Sequence, residues 1–340
     1  MKKNFIFTAI ASLITIAAIN SCTVDSTIND NNSTDDSATN NNNNNNLPNA
    51  DMKGIYMAGQ ITNANLGIRQ AALCKDGVLQ VLSQRNSEAT SVCVAGSDVY
   101  VVGYEYDELG LNQYLTLWKN GIAQQLWQSA GNPNLSIFVL GNDVYITEES
   151  AYYYIKNGVK QTLPDNTTGL IKMCISGNDI YLYLYDSVKR TYILLKNGVE
   201  QSIPDDYDYL YFLFVSGNDV YFGGKKSFNQ YDNRLILWKN GVAQTISGRI
   251  DDLDRIWSLW VLGSDVYFVT EEDEYLYRLR KNGQIVMEWR GAPKVFYVLG
   301  NDVYWFEFDN ERRLLKNGIE IVAVLPTGFI KWNDSLFIVE

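Results

Sequence analysis

The chain is a succession of short apolar or alternating runs broken by Gly, Asn and Asp. Residues 136–163 give the clearest copy. Ser136-Ile137-Phe138-Val139-Leu140 is a continuous apolar run, the pattern of a strand covered on both faces. Gly141-Asn142-Asp143 supplies residues that tolerate a tight turn. Val144-Tyr145-Ile146-Thr147 follows, rich in β-branched and aromatic side chains, and predicts a second strand. Tyr152-Tyr153-Tyr154-Ile155 predicts a third. Asn157-Gly158 is a type I′ hairpin signal, because both central residues of that turn need positive φ. Val159-Lys160-Gln161-Thr162-Leu163 then alternates, as a half-exposed outer strand does. The unit reads as a four-stranded antiparallel meander, with strands A to D counted outward.

This order recurs. Lys-Asn/Asp-Gly stands at Lys75, Lys119, Lys156, Lys196, Lys239, Lys281 and Lys316, and Gly-Asn/Ser-Asp-Val/Ile-Tyr at Gly96, Gly141, Gly177, Gly217, Gly263 and Gly300. A period of about forty residues with two turns in fixed order marks a radial β-repeat. Strand A is apolar in every complete copy (Val92-Cys93-Val94 and Leu259-Trp260-Val261 are examples), whereas strand D is mixed. The turn order resembles that of WD40-type propeller blades, without the Trp-Asp and Gly-His signatures. The expected fold is all-β: a seven-bladed β-propeller of four-stranded antiparallel blades, closed by both termini, with an open solenoid as the weaker alternative. The seventh blade is composite. Gly54-Met57, Ala71-Cys74 and Val78-Val81 supply B, C and D, and Phe329-Trp332 supplies A, followed by Asn333-Asp334 as its turn. Residues 335–339 then read as a surplus B strand competing with residues 54–59, and the sequence leaves the choice open.

The first fifty residues have a different character. Lys2 and Lys3 precede an apolar run, Phe5 to Ile19, too short to span a bilayer and patterned as a secretory signal. It ends in Ile19-Asn20-Ser21-Cys22, which resembles a bacterial lipobox. That resemblance implies a signal peptide over 1–21 and a lipid on Cys22, anchoring an exported protein in the cell envelope, with the outer membrane expected and the side left open. Residues 22–50, with seven consecutive asparagines, have no apolar period and read as a tether. Residues 51–340 form the propeller. As a whole the chain resembles uncharacterised bacterial secreted lipoproteins with LWKNG and GNDVY-type repeats, which implies architecture and location but no activity.

The formal net charge of −11 argues against nucleic acid and anionic lipid as partners of the folded surface. Cys74, Cys93 and Cys174 are odd in number and widely spaced, unlike a disulfide framework, so buried small hydrophobes are expected, with one disulfide a lesser option. The chain has no histidine, which excludes Ser-His-Asp and Cys-His catalysis and His-ligated metals.

The repeated Asp, Tyr and Lys of the turns recur in every blade and are read as structural: Asp bonding its own backbone, Lys as solvated edge protection. A–B and C–D turns are uniform and share one end of the ring; the variable B–C and D–A connections share the other. Function concentrates on variable loops held by a rigid scaffold. Those loops carry acids interleaved with aromatics, and the candidate contacts are Tyr106, Asp107, Trp127, Glu149, Asp206, Tyr207, Asp251, Trp257, Glu272 and Trp305. Such a face suits a glycan or a protein partner on a monomer acting as a non-catalytic binding or scaffold module. The alternative is a propeller-type carbohydrate-active enzyme using paired carboxylates. Asp205-Asp206-x-Asp208 and Asp251-Asp252-x-Asp254 carry the oxygens Ca²⁺ prefers but lack EF-hand or RTX spacing, so no cofactor is expected and Ca²⁺ is a minor option.

Overall fold

The computed structural model describes residues 54–339 except 130–133, 149–150, 206, 230–231, 247–254, 272–275, 291–295, 300–301, 308–312 and 323–328. The signal segment, Cys22 and the tether lie outside the described residues.

Seven four-stranded antiparallel sheets form the ring of a seven-bladed β-propeller. Blade 2 is the meander Ser87–Ala95, Asp98–Tyr106, Gln113–Lys119, Ile122–Ser129, in the order A to D. Blade 3 is Leu135–Leu140, Asp143–Glu148, Tyr153–Lys156, Val159–Thr162, and blade 4 is Thr167–Ser176, Asp179–Asp186, Thr191–Lys196, Val199–Gln201. Blade 5 is Tyr209–Ser216, Asp219–Asn229, Asp232–Lys239, Val242–Thr245. Blade 6 is Arg255–Leu262, Asp265–Glu271, Leu276–Lys281, Gln284–Arg290, and blade 7 is Phe296–Leu299, Asp302–Glu307, Arg313–Lys316, Ile319–Val322.

Blade 1 joins the two ends of the chain. Strand A is Phe329–Val339, paired with B (Gly54–Asn63), then C (Ile68–Lys75) and D (Val78–Val81). Residues 335–339 do not compete with 54–59. They continue strand A, Leu336 to Val339 pairing with Met57 to Gly54, while Phe329 to Lys331 pair with Ile61 to Gly59. The expected Asn333-Asp334 turn is therefore a bulge between two paired stretches. Reversing there would leave the edge of Gly54–Met57 open, and unpaired backbone groups are costly.

Apolar packing between blades holds the ring. One buried cluster joins blades 1, 2 and 3 through Ala58, Val101, Trp118 and Ile137. Another sets Met57 and Cys74 of blade 1 against Tyr297, Tyr304 and Leu314 of blade 7, sealing the closure. Each such side chain contributes roughly 1.5–3 kcal/mol by leaving water. The three described cysteines are free thiols; Cys74 and Cys93 are buried and Cys174 is half-buried. Burial pushes the Cys74 thiol up to about 11.

The uniform turns are tied to each other, which revises the sequence reading of their residues. In blade 2, Asn120 at φ 51 takes the left-handed position of the C–D hairpin. Its Oδ1 accepts from Val99 N at 2.8 Å and its Nδ2 donates to Asp98 Oδ1 at 2.7 Å. Lys119 Nζ lies 2.7 Å from Asp98 Oδ2 and 5.2 Å from the Tyr100 ring centroid. The Asp thus bonds the neighbouring turn rather than its own backbone, and the Lys is paired rather than merely solvated. Blades 3 to 7 repeat this clamp, with Lys–Asp distances of 2.5 to 2.7 Å. The lysine ammonium, then the asparagine amide, hold these carboxyls below the usual carboxylate range.

Blade 1 solves the same problem differently. Gly54 stands where the others have Asp, and Asp76 where they have Asn. Asp76 Oδ1 accepts from Ile55 N at 2.8 Å, and a Cβ on Gly54 would overlap Asp76 Oδ2. One carboxylate per clamp is kept, moved across the gap. Lys75 still lies 5.3 Å from the Tyr56 ring centroid.

Next to each hairpin, strand D opens on an exposed aliphatic residue: Val78, Ile122, Val159, Val199, Val242 and Ile319, and in blade 6 Ile285, one place further on. Their exposures run from 49% to 73%.

Candidate functional site

The B–C and D–A connections gather at the other end of the blades. Tyr106 closes strand B of blade 2, and Asp107 begins the loop after it. Asp107 Oδ1 accepts from Leu111 N at 2.8 Å and Oδ2 from Asn112 Nδ2 at 2.6 Å. The Leu111 backbone donor leads in lowering its carboxyl. Asp107 therefore shapes its own loop. Trp127 is half-buried on strand D of the same blade and faces blade 3. Its indole bonds the Tyr153 hydroxyl, which donates to Glu148 Oε2 at 2.5 Å. Lys160 Nζ stands 4.9 Å from the Trp127 ring centroid and 4.1 Å from that of Tyr153. Tyr104 lies in the field of Glu148, Glu88 and Tyr153, and burial is the main cause raising its phenol. The seam between blades 2 and 3 is thus an aromatic and charged cluster, with Glu88 held above the ordinary carboxyl range by burial.

The other candidates are scattered. Tyr207 packs edge-on to Trp238, with centroids 6.4 Å apart, at the seam of blades 4 and 5, and burial raises its phenol. Trp305 is 6% exposed and belongs to the core cluster of blades 5 to 7; its ring packs between blades rather than on the loop face. An aromatic at that position of strand B is walled by strands A and C, which the loop reading of Trp305 did not allow for. Trp257 lies in strand A of blade 6. Glu149, Asp206, Asp251 and Glu272 fall outside the described residues.

Two groups of residues escaped the sequence reading. Strand B runs further toward the loops than its composition suggested, so Glu105, Asp186 and Glu271 are buried strand residues. Glu105 accepts from Ser83 Oγ at 2.5 Å and Gln125 Nε2 at 3.0 Å. Asp186 Oδ1 accepts from Val188 N and Lys189 N at 2.9 and 2.8 Å, and Glu271 Oε1 from Tyr277 OH at 3.1 Å. Gln60 and Lys225 are buried in the same stretch of strand B, in register with Glu271 and one place short of Glu105 and Asp186. Continuing the antiparallel register past the apolar core would have found all five.

The second group is apolar. Leu66, Leu109 with Leu111, Tyr152 and Val188 lie in the B–C connections of blades 1 to 4, Phe228 lies near the loop end of strand B in blade 5, and all are exposed. Exposed loop leucines carry no sequence signal, because solvent exposure is a property of the fold. Among the described residues no three His, Cys, Asp or Glu side chains are grouped as metal ligands. Asp208, from one of the two Asp clusters, accepts from Ser227 N.

No family model matches the chain, and no curated protein is similar to it in sequence. Solved structures are similar in shape. The β-propeller domain of the trilobed protease of Pyrococcus furiosus is 11% identical, with a TM-score of 0.48 over 83% of this chain and 94% of that one. Oligogalacturonate lyase of Vibrio parahaemolyticus is 12% identical, with a TM-score of 0.48 over 78% and 83%. Pyrococcus horikoshii acylaminoacyl peptidase is 12% identical, with a TM-score of 0.48 over 79% of this chain and 50% of its own, so this chain spans half of that enzyme. With each TM-score below 0.5, none bears on function.

Proposed function

We propose that the chain is a non-catalytic binding or scaffold module, anchored in the cell envelope through Cys22, whose loop end takes a protein partner. One observation carries this reading: the B–C connections of blades 1 to 4, and the loop end of strand B in blade 5, each present an exposed apolar residue. Leu66, Leu109, Leu111 and Val188 offer exposed branched aliphatic surface, which can be buried against a protein but gives a sugar no flat aromatic face to stack on. The aromatics expected to serve a glycan are partly spent elsewhere: Trp305 packs in the core, and Trp127 bonds Tyr153. Carboxylates that a hydrolytic reading would draw on, such as Glu105 and Glu271, accept hydrogen bonds from their own blades or a neighbour.

The test is an envelope pull-down and a glycan array run side by side, with the native chain and a Leu109→Asp/Leu111→Asp/Val188→Asp variant. A defined protein retained by the native chain and lost with the variant is the expected result. A glycan signal that survives the variant overturns the choice of protein, and turnover of an arrayed glycan overturns the non-catalytic reading. Mass spectrometry of the mature N-terminus, with Cys22→Ala as comparison, tests the anchor separately.

A further inference from the structure

We infer that the turn end of the ring rests on a lipid surface, its aliphatic residues entering the headgroup boundary while the loop end points away. The inference concerns the opposite end from the proposed partner site and stands independently of it. β-Branched residues favour a strand, and threonine would serve beside an Asn-Gly turn while staying compatible with water. Six blades instead place Val or Ile there, exposed, and blade 6 has Gln284 there with exposed Ile285 next to it. One per blade, these side chains are spread around a circumference rather than gathered in a patch. A compact protein hot spot requires a contiguous cluster, whereas a flat, laterally continuous surface touches every blade at once.

Charge at this end agrees. Six hairpin lysines are salt-bridged to an aspartate of their own blade, and Asp76 follows Lys75 in the remaining one. The clamps therefore bring balanced charge to the boundary, and apolar contact rather than electrostatic attraction would hold the ring there. The path of the chain agrees as well. Gly54, the first described residue, adjoins the C–D turn of blade 1 through Asp76, so the point where the preceding chain joins the ring lies at this end.

The full chain can be tested in zwitterionic phosphatidylethanolamine–phosphatidylcholine vesicles containing brominated lipid. An environment-sensitive fluorophore is placed by Val159→Cys or Val242→Cys at the turn end, and by Glu108→Cys at the loop end. Each variant is compared with the unsubstituted chain labelled in parallel. Quenching at the turn-end positions should exceed that at the loop end by at least about twofold and survive high salt, as apolar insertion does. Adding Val78→Ser, Val199→Ser and Ile319→Ser should then reduce quenching at position 242 by well over tenfold in apparent partitioning, since each aliphatic side chain that leaves water is worth about tenfold or more. Equal quenching at both ends, quenching confined to Glu108→Cys, or abolition by salt overturns the inference. So does a matching spectral shift without vesicles, which would mean that a second copy of the chain covers the ring.

Discussion

At the residue scale, the clamp between the two uniform turns explains why Lys, Asn, Gly, Asp and Tyr recur together. A left-handed Asn leaves its amide free to bridge to strand B, and the carboxylate it meets must carry the only negative charge in the gap. Two facing carboxylates would repel each other. Blade 1 obeys the same rule with Gly54 and Asp76 exchanged for Asp and Asn. Gly54→Asp alone should therefore destabilise the fold, both by steric overlap with Asp76 and by placing a side chain at φ 138. Asp76→Asn in the same chain should return part of that loss, with a coupling of about 1 kcal/mol in a double-mutant cycle followed by urea unfolding. Additive losses would show that the clamp is not a unit. The structural character of these residues was legible from their recurrence. Their partners were not, since a bond between two turns depends on register, which one blade's sequence does not display.

At the element scale, strand A is regularly irregular. It bulges between Ala89 and Ser91 and again between Leu210 and Phe212. Opposite these bulges stand Gly103 and Gly224, where a Cβ would collide with the carbonyl oxygens of Glu88 and Tyr209. Gly103→Ala should cost about 2–4 kcal/mol, since backbone rather than a side chain must move. Gly141→Ala, at φ 58 with open space around it, should cost only about 1 kcal/mol. Similar losses at both sites in chemical denaturation would refute the steric account. Strand A of blade 1 gives a second expectation. Deleting residues 336–340 should raise amide hydrogen exchange across Gly54–Met57 specifically, because Leu336 to Val339 are their partners there. Unchanged protection would restore the competing-strand picture. The sequence carried the strands, their order and the composite blade, because period and turn chemistry encode them. It did not carry the lengths of the B strands or the bulge at Asn333-Asp334, which depend on what the neighbouring strand offers. Trp305 was misplaced for the same reason.

At the scale of the whole molecule, one clamp repeated around a ring makes a collective response to pH. The six turn aspartates titrate below the ordinary carboxylate range in the folded protein. Their contribution is therefore complete above the unfolded value near 4 and is lost as pH falls through the lower folded values. The clamp lysines are shifted upward, so their share is lost only as pH rises past about 10. Stability measured by urea unfolding should be level between about pH 5 and 8, fall steeply below about pH 4, and decline above about 8.5, where the buried Cys74 thiol ionises only in the unfolded chain. Asp143→Asn with Asp219→Asn should reduce that slope. Because the clamps are largely exposed, added salt should shrink the effect. An acid limb unchanged by the double substitution would assign it to other groups. The function of the loop end was only partly legible at this scale. Composition pointed to that end, but the seam joining Trp127 to Tyr153 spans two blades, and the exposed leucines of the loops declare themselves only once the ring is closed.

The composite blade also has a mechanical meaning. Strand B of blade 1 begins at Gly54 and is flanked on one side by Phe329–Val339 and on the other by Ile68–Lys75. A pull on the preceding chain enters along the axis of a strand held on both edges. Hydrogen bonds perpendicular to that axis are then strained together in shear, not opened one after another from a free end. Drag on the ring would be met at a strand paired on both edges, and the junction of the first and last strands would serve as a grip.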